Sequence, residues 1–177
     1  MPSKSDHTIA FQGLPGAYSD LACRAAYPDL TTLPCPSFED AFAAVKNGEA
    51  RLTMIPIENS LAGRVADIHH LLPEAGLHIV GEHFQRVNHC LMAPKGASLA
   101  GLKSVSSHVQ ALSQCRNFIK RHGLKPMVRA DTAGSAEEVA AQNGKSAAAI
   151  ASSLAAEIYG LEILATDIED ADHNTTR

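Results

Sequence analysis

The feature that most constrains the fold is a repeated alternation of short apolar runs with helix-like segments. Thr8–Gln12 is a short apolar run typical of a strand, and Ala17–Tyr27 carries apolar side chains at helical spacing. The same order recurs near the C-terminus, where Ala147–Ile150 is strand-like and Ser153–Tyr159 is helix-like. This alternation predicts an α/β fold with mainly parallel sheets.

The remaining segments follow the same rhythm. Ser37 with Asp40 fits a capping box and predicts a helix that ends at Asn47-Gly48. Leu52–Ile57 is nearly all apolar, which predicts a strand buried on both faces. Further strands are predicted over Leu30–Cys35, Leu77–Ala93, Lys103–Ser107, Pro126–Ala130 and Leu161–Thr166. Further helices are predicted over Val65–Leu72, His108–His122 and Ser135–Gln142.

Composition argues against several classes of partner. The 177 residues carry 15 basic and 19 acidic side chains, a net charge of −4, with no basic run and no Trp. Such a chain is a poor candidate for binding nucleic acid or a membrane surface. No apolar stretch approaches the roughly 20 residues of a membrane span, and no hydrophobic signal core follows the polar N-terminus, so a cytoplasmic location is expected.

The four cysteines form no C-x-x-C pair, and each has apolar neighbours. Buried free thiols in a reducing compartment are therefore predicted, with zinc binding or disulfides as the alternative.

Small polar residues follow the predicted strands, where open α/β sheets bind ligands. Glu58-Asn59-Ser60 follows one strand and Ser106-Ser107-His108 another, while Ala17 starts a helix. Backbone N–H groups at helix starts favour anions, so an anionic small molecule is the expected ligand. The Gly13–Gly16 loop matches neither the dinucleotide fingerprint nor the phosphate loop, which argues against a nucleotide.

Each candidate also has a structural interpretation. Ser107 with Gln110 fits a capping box, and Asn59 and Ser60 are common turn residues. Glu58 could serve as an ion-pair partner. A helix start would keep His108 neutral, which suits hydrogen bonding, although a structural histidine is the commoner case.

Two further polar positions resemble ordinary surface residues. Adjacent helical residues point about 100° apart, so His69-His70 does not fit one metal ion and is interpreted as surface or interface. An amide such as Gln114 on a helix usually faces solvent.

Taken together, these junctions resemble the catalytic domain of prephenate dehydratase from about Ile9 to Arg177. The matching blocks, in chain order, are Gly13–Ser19, Pro56–Gly63, Ser107–Ala111 with Gln114-Cys115, Asp131–Ala136, Ala148–Ser152 and Asn174–Arg177. Val109 departs from the family's proline, and valine at a first helical position should cost little.

The resemblance implies a two-lobed fold similar to type II periplasmic binding proteins, with a mainly parallel sheet in each lobe and a cleft between the lobes. Residues 1–82 and 163–177 would form the first lobe and 83–162 the second. Family members usually continue into a regulatory ACT domain that binds phenylalanine. Its absence before residue 177 implies a truncated piece of a longer protein, with phenylalanine feedback through the missing domain.

The resemblance also implies the reaction, the conversion of prephenate to phenylpyruvate, carbon dioxide and water, in phenylalanine biosynthesis. Thr176 would protonate or hydrogen-bond the departing hydroxyl, and Asn59, Ser107 and Gln114 would position the substrate. The substrate-binding positions are Arg177, Ser60, Ala17 and Glu58. Glu58 is expected to point away, because its charge would repel a leaving carboxylate.

Aromatisation drives the reaction, so neither a metal nor a cofactor is expected. A homodimer or homotetramer is expected. The alternatives are an arogenate dehydratase and a non-catalytic small-anion binding protein of the same fold.

Overall fold

The computed structural model describes residues 4–177. Within that range it contains twelve β-strands and seven α-helices. The strands are β1 (Thr8–Gln12), β2 (Thr31–Cys35), β3 (Leu52–Met54), β4 (Glu58–Asn59), β5 (Gly63–Arg64), β6 (Gln85–Arg86), β7 (Cys90–Ala93), β8 (Ser104–His108), β9 (Lys125–Arg129), β10 (Ala147–Ala151), β11 (Glu162–Ala165) and β12 (Thr175–Thr176). The helices are α1 (Tyr18–Ala26), α2 (Phe38–Lys46), α3 (Ala66–Glu74), α4 (Val109–Gln114), α5 (Arg116–Arg121), α6 (Thr132–Gln142) and α7 (Ser153–Tyr159).

The chain divides into two compact units. The first comprises the described residues up to Leu14, then Tyr18–Arg86 and Asn174–Arg177. Its parallel sheet has the order β2-β1-β3 and buries Ile9, Ala10 and Phe11 to 1% exposure or less. Helix α2 begins as its sequence predicts, because the Ser37 Oγ accepts from the backbone N–H of Asp40 at 3.1 Å.

A second, antiparallel sheet in the first unit positions several candidate residues. Its order is β5-β4-β12-β6, and every strand in it has only two residues. Thr176 lies between Asn59 on one side and Gln85 on the other. The sheet thus brings the end of the chain beside the Glu58-Asn59-Ser60 segment.

The second unit comprises Pro15–Ala17 and Val87–His173. Its sheet has the order β11-β7-β10-β8-β9, with β10, β8 and β9 parallel and β7 antiparallel to both of its neighbours. Leu91, Met92 and Ile150 are fully buried in the layers that flank this sheet. The predicted α/β class, with mainly parallel sheets flanked by helices, is confirmed.

The boundary between the units differs from the predicted one. Residues 163–177 were expected in the first lobe, but Ile163 pairs with Met92 and so belongs to the second unit. Residues 174–177 alone return to the first unit, through the pairing of β12 with β4 and β6. Residues 83–86 lie with the first unit, and Pro15–Ala17 with the second.

Three predicted elements are wrong in extent. Leu77–Ala93 is not one strand: residues 77–84 have no regular structure, and only β6 and β7 follow. The predicted helix over His108–His122 is divided at Cys115 into α4 and α5. The strand predicted over Leu52–Ile57 ends at Met54 and is only partly buried.

The four cysteines, Cys23, Cys35, Cys90 and Cys115, are buried and unbridged, as the sequence predicts. Burial raises the pKa of Cys23 to about 12 and that of Cys90 to about 11. The thiols are therefore protonated, inert core groups. Across residues 4–177, no helix combines the length and apolar character of a membrane span.

Candidate active site

Asn59 and Thr176 form the centre of the candidate site in the first unit. They are register partners on the antiparallel strands β4 and β12. The Asn59 Nδ2 donates to the Thr176 Oγ1 at 3.0 Å, and both residues are partly buried. This contact joins residues 117 positions apart in the sequence, and the small sheet creates it.

The Asn59 amide is fully engaged within the protein. Its Nδ2 also donates to the Asn174 Oδ1 at 2.8 Å. Its Oδ1 accepts from the backbone N–H groups of Leu61 at 2.9 Å and Ala62 at 2.8 Å. Both donors and both acceptor sites of an amide are then occupied. Asn59 therefore both forms the turn that its sequence context suggested and holds Thr176.

The contact from Asn59 also fixes the direction of the Thr176 hydroxyl. Because the Oγ1 accepts from Asn59, the hydroxyl hydrogen points to a different partner. A small cavity in the first unit is lined by Thr176 together with Tyr18, Met54, His83 and Gln85. A ligand in this cavity would therefore lie beside Thr176.

Ser60 and the Glu58–Arg177 pair surround this centre. The Ser60 Oγ accepts from the backbone N–H of Thr175 at 3.0 Å, which ties the turn to β12. The Arg177 Nε lies 3.5 Å from the Glu58 Oε1, and both side chains are over two-fifths exposed. An exposed pair of this kind contributes little to stability, so its effect is on where the guanidinium points.

Ser107 is not the helix cap that its spacing to Gln110 suggested. Strand β8 continues through His108, so the helix begins one residue later than a Ser107 cap requires. The cap is His108, whose Nδ1 accepts from the backbone N–H of Gln110 at 3.3 Å. Ser107 is fully buried and its Oγ donates to the backbone carbonyl of Ile150 at 2.6 Å.

Gln114 is the last residue of α4, and its side chain does not simply face solvent. Its Oε1 lies 2.8 Å from the Nε2 of His89, a residue with 2% exposure. Its backbone carbonyl accepts from the N–H of Asp170 at 2.6 Å. Side chain and backbone are both held, as a substrate-positioning residue requires.

Ala17 directly precedes α1 and belongs with the second unit. The loop before it is fixed there, because the Ser152 Oγ donates to the Gly16 carbonyl at 2.6 Å. Gly16 has a φ of +87°, and a Cβ at this position would lie 2.7 Å from the Ala155 Cα. Only glycine fits this approach.

The structure thus collects the sequence-predicted residues into two groups. The Asn59 group, in the first unit, contains Glu58, Asn59, Ser60, Thr176 and Arg177. The Ser107 group, in the second unit, contains Ser107 and Gln114, with Ala17 in the same unit. That both groups act on one substrate stays a prediction.

Sequence reasoning missed two residues. Asn174 was noted only as part of a terminal motif, yet it is 2% exposed and holds Asn59. His89 was not singled out, although a lone histidine beside the apolar run Cys90–Ala93 was a signal that could have found it. Buried polar groups of this kind have hydrogen-bond partners, and here the partners are site residues.

No cluster of His, Cys, Asp and Glu within residues 4–177 has an arrangement that could hold a metal ion. His69 and His70 are both exposed on α3, which agrees with their interpretation as surface or interface residues.

Comparison with known proteins decides the family. Residues 9–177 match the family model for prephenate dehydratase. The chain belongs to the prephenate dehydratase family. A bifunctional N-acyl-homoserine lactone acylase/prephenate dehydratase from Komagataeibacter europaeus is 58% identical over 97% of this chain and 61% of its own length. The arogenate dehydratase/prephenate dehydratase 2 of Arabidopsis thaliana is 46% identical over 96% of this chain and 44% of its own length.

Solved structures agree with this assignment. A prephenate dehydratase from Arthrobacter aurescens in complex with L-Phe has a TM-score of 0.86 and 30% identity, over 96% of this chain and 59% of that one. A structure described as a novel type of quorum quenching acylase has a TM-score of 0.90 and 58% identity, over 96% and 61%. The chain therefore spans less than two thirds of the length of each of these four relatives.

Proposed function

We propose that the chain catalyses the decarboxylating dehydration of prephenate to phenylpyruvate, carbon dioxide and water. Membership of the prephenate dehydratase family supports the reaction class. The observation that carries the proposal is the hydrogen bond from the Asn59 Nδ2 to the Thr176 Oγ1. It leaves the Thr176 hydroxyl hydrogen to be donated, which is what a leaving hydroxide needs.

The electron flow explains why one donor is central. The bond from the ring to its carboxylate breaks and carbon dioxide departs. That electron pair enters the ring, the carbon–oxygen bond breaks, and the leaving hydroxide takes a proton to become water. Aromatisation drives these steps, so the protein must supply a proton donor and a grip on a dianion. General acid assistance contributes about 10²–10⁴-fold in rate.

Thr176 serves as the donor in this proposal. A threonine hydroxyl is a weak acid, and accepting a hydrogen bond from Asn59 polarises it towards donation. Asn174 holds Asn59 from the other side, so the amide cannot turn away. After the step, the Thr176 oxygen regains its proton from a solvent water molecule, and the hydroxide that this leaves passes to the solvent.

The other residues hold the anion. Arg177 binds a carboxylate of the substrate through its guanidinium. Glu58 orients that guanidinium through its contact with the Arg177 Nε. Gln114 donates from its amide, whereas the hydroxyl hydrogen of the buried Ser107 is committed to the Ile150 carbonyl, so Ser107 supports strand β8 and does not bind the anion. Backbone N–H groups near Ala17 complete the anion site.

The experiment is an assay of phenylpyruvate formation from prephenate on this chain and on a longer one with a C-terminal extension. We expect turnover by both. Absence of product from both would reject the proposal. Calorimetric binding of prephenate without product would instead favour the non-catalytic binding protein.

Arogenate is the alternative substrate, since relatives 46–47% identical are named arogenate dehydratases. It carries an amino group where prephenate has a keto oxygen. The two substrates are compared in parallel, with phenylalanine as the product from arogenate. A higher kcat/KM for arogenate would reassign the preferred substrate.

A second candidate activity comes from the relative named as an acylase, which is 58% identical to this chain. Incubation with an N-acyl-homoserine lactone, with release of the free amine as the readout, tests amide hydrolysis. No release at enzyme concentrations that turn over prephenate would reject it.

We further propose a cytoplasmic location, feedback by phenylalanine and a homodimer or homotetramer. The inert buried thiols suit a reducing compartment. The relative from Arthrobacter aurescens was solved with L-Phe, and this chain spans 59% of it, so the feedback test uses the longer chain. Exposed apolar side chains at Ile79, Val80 and Phe84 suit a subunit contact, which light scattering tests through the mass in solution.

A further inference from the structure

His89 is a buried histidine that contacts the site residue Gln114, and the proposed reaction gives it no role. It lies directly before β7, is 2% exposed, and places its Nε2 at 2.8 Å from the Gln114 Oε1. An amide oxygen only accepts, so the hydrogen of this contact is on the His89 Nε2. Burial lowers the pKa of His89 below its usual value, so the ring is neutral at neutral pH, and the contact with the Gln114 Oε1 assigns its one hydrogen to Nε2.

This donor determines which face of the Gln114 amide is presented. The oxygen and nitrogen of a glutamine amide exchange places when the group flips, and the two orientations differ little unless a neighbour distinguishes them. The His89 Nε2–H can donate to only one of these two orientations, the one with the Oε1 towards the ring. The amino group of Gln114 is then directed away from His89.

His89 and Gln114 are held by one segment of the chain. The Ile168 N–H donates to the His89 carbonyl at 3.2 Å, and the Asp170 N–H donates to the Gln114 carbonyl at 2.6 Å. Between them, the Glu169 Oε2 accepts from the His89 backbone N–H at 2.9 Å. Residues 168–170 therefore fix the two backbones relative to each other, which keeps the side-chain contact in register.

We propose that His89 is a positioning residue that holds the Gln114 amide with its amino group, and not its oxygen, towards the bound dianion. This rests on the proposed function, in which Gln114 donates to prephenate. An amide oxygen turned towards a carboxylate would repel it, whereas two N–H donors attract it. The contribution of His89 is therefore expected in substrate binding and to depend on the presence of Gln114.

The test compares His89→Leu, which removes the donor at similar bulk, with His89→Gln, whose amide nitrogen reaches about as far as the histidine Nε2. We expect His89→Leu to raise the KM for prephenate about tenfold, with kcat within about threefold. His89→Gln should recover most of the loss. His70→Leu, an exposed histidine on α3, is the matched control and should change neither constant.

The decisive comparison is the double variant with Gln114→Ala. If His89 acts through Gln114, His89→Leu adds little to Gln114→Ala; a merely structural role gives the same loss in both backgrounds and overturns the proposal. If His89→Leu does not fold, His89→Asn replaces it, because its shorter amide cannot reach Gln114. The same rise in KM is then expected from His89→Asn, and the same small added effect on Gln114→Ala.

Ring ¹⁵N shifts of His89 at pH 7.5 give a readout independent of turnover. The Nε2–H tautomer supports the pairing, and any other form overturns it even in an active enzyme. Absence of prephenate turnover with the Nε2–H tautomer present would reject the proposed function and not the pairing.

Discussion

The two groups of site residues are built differently. The Asn59 group lies on two-residue antiparallel strands that join segments more than a hundred positions apart, and the side chains of Glu58 and Arg177 are over two-fifths exposed. The Ser107 group lies on a five-residue strand and at a helix end; Ser107 is fully buried, and His89, the partner of Gln114, is 2% exposed.

This difference separates two tasks. In the Asn59 group an amide presents a hydroxyl whose hydrogen is still to be donated, which suits the step in which a proton moves. In the Ser107 group the hydroxyl hydrogen is committed to a backbone carbonyl and the amide oxygen to a histidine. A rigid arrangement of that kind suits recognition, so variants in the first group should lower kcat and variants in the second should raise KM or lower stability.

The largest effect is expected from Thr176→Val, which removes the hydroxyl but keeps the shape of the side chain. We expect kcat for phenylpyruvate formation to fall about 10²–10⁴-fold, because the leaving hydroxide loses its donor, while KM changes by less than about threefold. Steady-state kinetics at saturating prephenate measure both constants. Thr176→Ser, which retains a hydroxyl, should keep most of the activity, and near-wild-type turnover by Thr176→Val would remove this residue from the mechanism.

A somewhat smaller loss is expected from Asn59→Asp. The new carboxylate still accepts from the N–H groups of Leu61 and Ala62, so the turn persists. It cannot donate to Thr176, whose hydroxyl would then donate to the carboxylate and not to the substrate. We expect kcat to fall about 100-fold, within the range for loss of general acid assistance.

Comparing Asn59→Ala with Asn59→Asp separates the two functions of the Asn59 amide, the turn that it forms and the hydrogen bond that it donates to Thr176. Asn59→Ala removes both but introduces no carboxylate that could capture the Thr176 hydroxyl hydrogen, so its kcat should fall less than that of Asn59→Asp, while its thermal midpoint falls further. If Asn59→Asp instead keeps wild-type turnover, the amide serves the turn alone.

The same contrast explains what the sequence could predict. Strand β1 and helix α7 agree with their predicted bounds because local patterns determine them: a short apolar run in one case and a serine-capped apolar face in the other. Strand β12 was missed, because a two-residue strand exists only through its partners β4 and β6. The Leu77–Ala93 prediction failed because apolar side chains alone do not make a strand: Ile79 and Val80 are over two-thirds exposed in an irregular segment.

Site residues follow the same rule. Resemblance identified Asn59 and Thr176, but no local pattern indicates that one donates to the other across 117 positions. Ser107 fitted a helix cap in the sequence because the pattern does not specify where β8 ends, and one additional strand residue moved the cap to His108. Such details depend on tertiary pairing, and pairing is what a single sequence least constrains.

In the Ser107 group, Ser107→Ala is expected to act mainly on stability. The substitution removes the donor to the buried Ile150 carbonyl, which should lower the free energy of unfolding by about 1–2 kcal/mol. Urea unfolding followed by far-UV circular dichroism measures it. Ser113→Ala is the matched control, since its Oγ also donates to a carbonyl, at 2.7 Å, but on an exposed surface, and should cost less than about 0.5 kcal/mol. Equal losses from the two variants would contradict a special role for burial at Ser107.

The smallest effect expected is a pH dependence of stability that belongs to His89. Burial is the main cause that lowers its pKa, and the Gln114 contact and the Glu169 charge oppose it only in part. Well above pH 6.5, its usual pKa, the ring is neutral in both states and contributes no slope. As the pH falls below 6.5 the unfolded chain binds this proton first, so the wild type loses stability until the pH passes the folded-state pKa. His89→Gln keeps a donor but cannot titrate, and the other histidines affect both proteins alike. The wild type should therefore lose stability relative to His89→Gln as the pH falls from 7.5 to 5.5, and urea unfolding midpoints measure this. If the difference in midpoint between the two proteins stays constant over that range, His89 titrates as it does in the unfolded chain. That outcome would contradict a neutral ring buried against Gln114.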